Sequence, residues 1–159
     1  MNKIIITLLV ALSVTVSTAC YSENSVESLS PELRALLTQE MLAIQGGMQG
    51  IVTAFAAGNM SEVADIAGAI NKSYILKQKL TDAQKHELHK KLPKGFIDKD
   101  LQFHKYAGML EHVSNNNHTE LVSFYYSKLL ESCVGCHSQY AKHNFPAFIT
   151  KPEEKAHHH

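Results

Sequence analysis

The residues with the most chemistry in this chain sit close together near its C-terminal end: Cys133-Val134-Gly135-Cys136-His137. On a helix, side chains three and four apart share a face, so both thiols and the imidazole would project the same way. Two thiols on one face can each add their S–H across a vinyl group of haem, giving two thioethers. The imidazole next to them is then placed under the iron as an axial ligand. C-x-x-C-H is the signature of c-type haem attachment, so the expected cofactor is one covalent haem c held by Cys133, Cys136 and His137. Other uses of a Cys pair fit less well. A tetrahedral zinc site takes four ligands, and the only other Cys in the chain is Cys20. A redox-active C-x-x-C belongs with a βαβ pattern, which this sequence lacks. A disulfide across so short a loop would remove little chain entropy.

The start of the chain bears on that chemistry, because bacterial haem c is attached outside the cytoplasm. Residues 1–20 read as a signal peptide. Lys3 supplies the positive region, Ile4 to Val16 an apolar stretch of thirteen residues, and Ser17-Thr18-Ala19 small residues for cleavage. Thirteen residues are short for a bilayer-spanning helix, which takes about 20. Cleavage near Ala19 or Cys20 would release a periplasmic protein. Lipidation of Cys20, giving a membrane-anchored lipoprotein, is the alternative, although Ser17 stands where such signals carry an aliphatic residue.

The elements that must position the site read as helices. The apolar content of 45% allows a real core, and four Pro and eight Gly are too few for a turn-rich β-sandwich. Formal net charge is zero, which argues against nucleic acid as a partner. Residues 21–30 are polar and read as a linker. Ser30-Pro31-Glu32 is a helix start, with Ser as N-cap and Pro in the first turn. Leu33, Leu36, Leu37, Met41, Ile44, Met48, Ile51 and Phe55 then make one face, and Gly58 stops the helix. A second helix is expected over about 61–79, with Val63, Ile66, Ala67, Ile70, Tyr74 and Leu80 as its stripe. Thr81 and Gln84 form a capping box for a short extra turn ending at Leu92-Pro93. The third helix is expected over about 98–114, with Leu101, His104, Ala107, Leu110 and Val113 inward. Asn115-Asn116-Asn117 is a turn, with Asn117 as N-cap of the last helix. That helix carries Leu121, Tyr125, Leu129, Cys133, Cys136, His137 and Tyr140 on one face. Four such helices with short connections predict an all-α, antiparallel four-helix bundle over residues 31–145, with haem attached to the last helix. Residues 146–159 read as a flexible tail, polar from Lys142 onward, and His157-His158-His159 carries no assigned role.

With C-x-x-C-H on the last helix of an exported four-helix bundle, the chain resembles cytochrome c′ and its low-spin relatives of the cytochrome c556 type over about residues 31–145. Cys133, Cys136 and His137 match that family's haem site. Tyr140 matches its aromatic three residues after the His, and Leu92-Pro93, Phe96 and Phe103 match its entry to the third helix. The resemblance implies a distal iron position on the first helix about sixteen residues before Gly58. That count falls at Leu42, one residue from Met41 and six from Met48. Met41 is therefore the expected second metal ligand, since a thioether suits low-spin haem iron; Met48 and His104 are the alternatives, and a Met stripe is also ordinary core packing. The family often has Arg four residues before that position. Here Arg34, the only Arg, is four before Thr38 and seven before Met41, so a propionate role for it does not carry over.

Gly46, Gly47 and Gly50 each cost about 1 kcal/mol relative to Ala inside a helix, which suggests close approach by a haem edge or by a second copy in a homodimer; a local kink is the plainer reading. His104 is either a functional group or a satisfied boundary residue. His86, His89, His112, His118 and His143 read as surface residues. Residues 72–105 hold nine Lys against Asp82, Glu87, Asp98 and Asp100, either a docking face for an acidic redox partner or a solvated surface. The function expected is one-electron transfer between periplasmic redox proteins by a chain that is not an enzyme. Binding of small gases such as nitric oxide or carbon monoxide at a five-coordinate iron is the alternative.

Overall fold

The computed structural model describes residues 25–72 and 80–149. The signal-peptide region with Cys20, and Tyr74, Lys77, Lys79 and His157-His158-His159, lie outside the described residues. Among the described residues the fold is all helical, with five α-helices and no strand: α1 Pro31–Ala56, α2 Met60–Asn71, α3 Asp82–Lys91, α4 Lys94–Asn115 and α5 Thr119–Tyr140. No helix among them is long and apolar enough to cross a membrane.

Local chemistry accounts for the boundaries. Ser30 caps α1 by accepting a hydrogen bond from the Leu33 N–H, and Pro31 occupies the first turn. Gly58, at φ 73°, ends α1 by turning through the left-handed region, which glycine enters without steric cost. Asn59 immediately caps α2 through the Glu62 N–H. The Thr81–Gln84 capping box is formed, and it opens a ten-residue helix, α3, rather than a single extra turn. α4 starts at Lys94, four residues earlier than expected, because Pro93 fixes a φ of −59° and serves as the cap residue.

Asn117 is not the N-cap of the last helix. It takes the left-handed conformation, at φ 55°, and closes α4 through its own N–H and that of His118; α5 then starts at Thr119. Of the stretch expected to be a linker, residues 25–30 are part of the fold. A helical turn at Val26–Ser28 leads into Leu29, which is buried. The apolar Val26 and Leu29, three apart in a polar run, supply the reason.

Extensive packing joins α1 to α2, α2 to α4, and α4 to α5, whereas α1 and α5 touch far less. The α2–α4 approach is close. A Cβ on Gly68 would come 2.6 Å from the Glu111 carboxylate, and one on Gly108 would come 3.1 Å from the Asn71 side-chain nitrogen. α4 and α5 run in opposite directions, since Gly95 meets Tyr140 and Lys99 meets Gly135.

The apolar interior is divided in two. The larger cluster joins the second half of α1 (Ile44, Met48, Ile51) to α2, to Leu110 of α4, and to Val122 and Leu129 of α5. The smaller cluster is built on Leu29, Leu33 and Leu92, with Leu36, Leu37 and Phe96 packed partly against it.

Candidate haem site

The motif lies on the last two turns of α5. Its inward face comes from the heptad spacing of Val122, Leu129, Cys133 and Cys136. Leu121, expected on this face, is exposed, one helical step off it, and Val122 takes the interior place. Both Cys are free thiols, half-buried, with Cys133 packed against the larger cluster. Burial pushes both thiols above their ordinary value. For Cys136 the Asp100 carboxylate adds to the rise, and the Lys99 ammonium opposes it. Burial pushes His137 below the ordinary imidazole value, so its ring is neutral at neutral pH, with a nitrogen lone pair available to a metal.

These residues stand where the two clusters meet. Cys133 packs on the larger one. Tyr140, seven residues on, sets its ring edge-on to Phe96 at 5.4 Å, and Phe96 belongs to the smaller one. On α1 the same boundary falls between Leu37, in the smaller cluster, and Ile44, in the larger. Glu40 and Met41 occupy that interval.

The register across α1 and α5 follows from one contact. The Tyr126 hydroxyl donates to the Met48 carbonyl at 3.3 Å. Met41 is seven residues before Met48, and Cys133 is seven after Tyr126. Seven helical residues are two turns, about 10.5 Å. Both steps lead towards the smaller cluster, so Met41 and Cys133 lie on the same side of that contact.

The expected iron ligands and their alternatives have distinct surroundings. Met41 is not on the buried crest of α1; it is 39% exposed. The crest runs Leu33, Glu40, Ile44, Met48, Ile51, and Met41 is one helical step round from it. Met48 is only 6% exposed and is core. His104 is buried, with Nδ1 2.8 Å from the Ile70 carbonyl and Nε2 3.5 Å from Asp100, so it is the satisfied side chain that was one of its two readings. Leu101, expected inward on the same helix, is 57% exposed, and Phe103 fills the core position. Arg34 is exposed. Among the described residues no three His, Cys, Asp or Glu side chains converge on a point that could hold a bare metal ion.

Two residues near the site were missed by sequence reading. Glu40 is 1% exposed, on the interior crest. An apolar-stripe count passes over a carboxylate and takes its neighbour Met41 instead; the spacing of three and four from Leu37 and Ile44 was the available signal. The other is Phe145. Its ring stacks on the His137 imidazole, with centroids 4.2 Å apart and planes 11° apart. It sits in the stretch after Lys142 expected to be a polar tail, which instead winds through local turns to Ile149 and returns Phe145 to His137.

Of the glycines in α1, Gly50 meets Ile66 of α2, where a Cβ would come 3.1 Å from Ile66 Cδ1, while Gly46 faces open space. Lys99 reaches towards the motif, its Nζ 3.6 Å from where a Cβ on Gly135 would lie. His86, His89, His112, His118 and His143 are all exposed, as expected. No protein-family model matches this chain, and no curated protein or solved structure matches it.

Proposed function

We propose that this chain is an exported mono-haem c-type cytochrome, an antiparallel four-helix bundle in the likeness of cytochrome c′ and the cytochrome c556 type, that passes single electrons between periplasmic redox proteins. The observation that carries the proposal is the position of Cys133, Cys136 and His137. Two free thiols and an imidazole occupy one half-buried helix face, at the boundary between two apolar clusters and beside the little-packed α1–α5 side. A flat apolar group entering there from the α1 side would cover both cluster edges.

The donor set suits haem. Cys133 and Cys136 would hold it by thioethers, and His137 would ligate its iron from α5. Haem, when bound, supplies an iron that gains and loses one electron. Met41, on the same side of the Tyr126–Met48 contact as Cys133 and outside the core packing, is the proposed distal ligand from α1. Met48 and His104 already have packing or hydrogen-bonding duties. Lys99 and the neighbouring lysines of α3 and α4 would offer positive charge to an acidic partner, which speeds encounter at low salt. The leader at residues 1–20 supplies export, with a lipid on Cys20 as the variant reading.

The test is direct. Protein expressed with its leader is denatured and extracted with acidified organic solvent. Colour that stays with the polypeptide supports thioether attachment; colour that passes wholly into the solvent rejects it. Gas binding is the second reading, favoured by one observation: the buried crest of α1 carries Glu40, with Met41 beside it. If Met41 leaves the iron free, small gases gain a vacant position.

A further inference from the structure

Beyond Cys133, Cys136 and His137, the segment from Ala141 to Ile149 touches the motif. Its backbone is wound tightly. The Asn144 N–H donates to the Ala141 carbonyl at 2.9 Å, and the Phe145 N–H is shared between the Ala141 and Lys142 carbonyls at 3.2 and 3.1 Å. The Phe148 N–H donates back to the Phe145 carbonyl at 3.0 Å, and the Phe148 ring sits edge-on to the Phe145 ring. The segment is also pinned to the other end of the chain, since His143 Nδ1 lies 2.7 Å from a Glu27 carboxylate oxygen. The consequence of these ties is the placement of one ring. Phe145 lies face to face with His137, 4.2 Å between centroids and 11° between planes.

We infer that Phe145 is a positioning residue for the haem ligand, setting the plane of the His137 imidazole. The inference rests on the haem reading above. An imidazole bound through one nitrogen remains able to rotate about the metal–nitrogen axis, and its groove on a helix does not fix that angle. A parallel aromatic face does, because only one ring plane keeps the contact; a quarter turn would drive an imidazole edge into the Phe145 ring. Neighbours that orient a metal-bound His tune the metal as well as hold it. The plane of an axial imidazole sets the order of the iron d-orbitals it overlaps. It therefore appears in the paramagnetic shifts of the haem methyl protons, whichever spin state the iron takes. A residue that only packed the chain terminus would leave those shifts alone. The strap from Ala141 to Ile149, tied down at Glu27, is then the device that holds Phe145 at a constant angle.

The experiment uses the full holoprotein and compares wild type with F145A, F145L and F145Y by proton NMR of the oxidised state. Wild-type haem content is first checked after denaturation. Wild type without covalent haem removes the reading on which this rests, and that outcome is distinct from the ones that follow. With haem bound, F145A and F145L should change the spread of the methyl shifts and broaden or split the signals, while F145Y, which keeps the flat face, should restore the wild-type pattern. F145L preserves apolar bulk, so it decides the matter should F145A fail to accumulate. Haem-loaded F145L with wild-type methyl shifts would overturn the inference, as would an F145Y pattern no closer to wild type than that of F145L.

Discussion

The two apolar clusters differ in how they are closed. The larger draws fully buried side chains such as Ile51, Ile70, Leu110 and Leu129 from α1, α2, α4 and α5. The smaller has Leu29, Leu33 and Leu92 at its centre, surrounded by side chains such as Leu36, Leu88 and Phe96 that are only partly covered. The first is a self-sufficient core. The second is a core with an unfinished side, and Phe96 of that cluster meets Tyr140, three residues after His137. A protein that needed only to fold would gain by finishing it; one that must admit a large apolar cofactor has reason to leave it open.

The largest effect should come from breaking the join between these regions. Under the proposed haem reading, replacing both Cys133 and Cys136 with Ala should abolish covalent haem. The remaining chain should lose cooperativity first around Leu33 and Leu92, while amides near Ile51, Leu110 and Val122 keep more hydrogen-exchange protection. An unchanged, sharp melting transition in the double variant would contradict this. Next in size is a pair of core truncations. Leu110→Ala, in the closed cluster, should cost about 3 kcal/mol in denaturant unfolding. Leu88→Ala, in the partly covered cluster, should cost about 1 kcal/mol, because less area leaves contact with other side chains. Equal costs would erase the distinction between the clusters.

Much of this arrangement was legible from residue spacing. The caps at Ser30 and Thr81, the stop at Gly58 and the all-helical class rest on local chemistry, and they are where the sequence places them. The face of a helix is harder to read when a polar residue occupies an interior slot. Glu40 made the α1 stripe appear to pass through Met41. On α4 and α5 only the first stripe residue is off, Leu101 and Leu121 standing where Phe103 and Val122 are interior, while His104, Ala107, Leu110, Val113 and Leu129 are buried as expected. Asn117 was misassigned because left-handed closure and N-capping favour the same residue type. Phe145 was invisible to periodicity, since its contact with His137 depends on a backbone reversal after Ala141 and not on any repeat. The motif itself was plain in the sequence, whereas its position at a boundary between two cores depends on tertiary packing.

Met41 bears on the comparison from α1. It lies between the clusters and belongs to neither, so Met41→Ala should leave unfolding stability nearly unchanged. If it binds iron, the same change should convert low-spin absorption spectra to high-spin in one or both oxidation states. A loss of stability as large as that of Leu110→Ala would mean that Met41 is core. Spectra identical to wild type would exclude it as a ligand and turn attention to Met48, His104 or a vacant position.

The smallest effect expected lies at the tie that holds the open cluster together from outside. The Glu87 carboxylate accepts hydrogen bonds from the Lys91 ammonium at 2.9 Å and from the Ser30 N–H at 2.7 Å. These two contacts, Lys91 first, hold its pKa below the ordinary 4.5. A carboxyl whose folded pKa is depressed binds fewer protons folded than unfolded, so the stability it contributes is present above 4.5 and is lost as pH falls through the lower folded value. The effect is small because the pair is partly open to solvent and salt. Lys91 also keeps its separate hydrogen bond to the Ser28 carbonyl, at 2.7 Å, when the charge is removed. Glu87→Gln should therefore lower the thermal midpoint slightly at neutral pH, with the gap to wild type closing as pH falls below 4.5. Added salt should narrow the gap at neutral pH as well. A gap that persists unchanged through the acid range and in high salt would remove charge from the account.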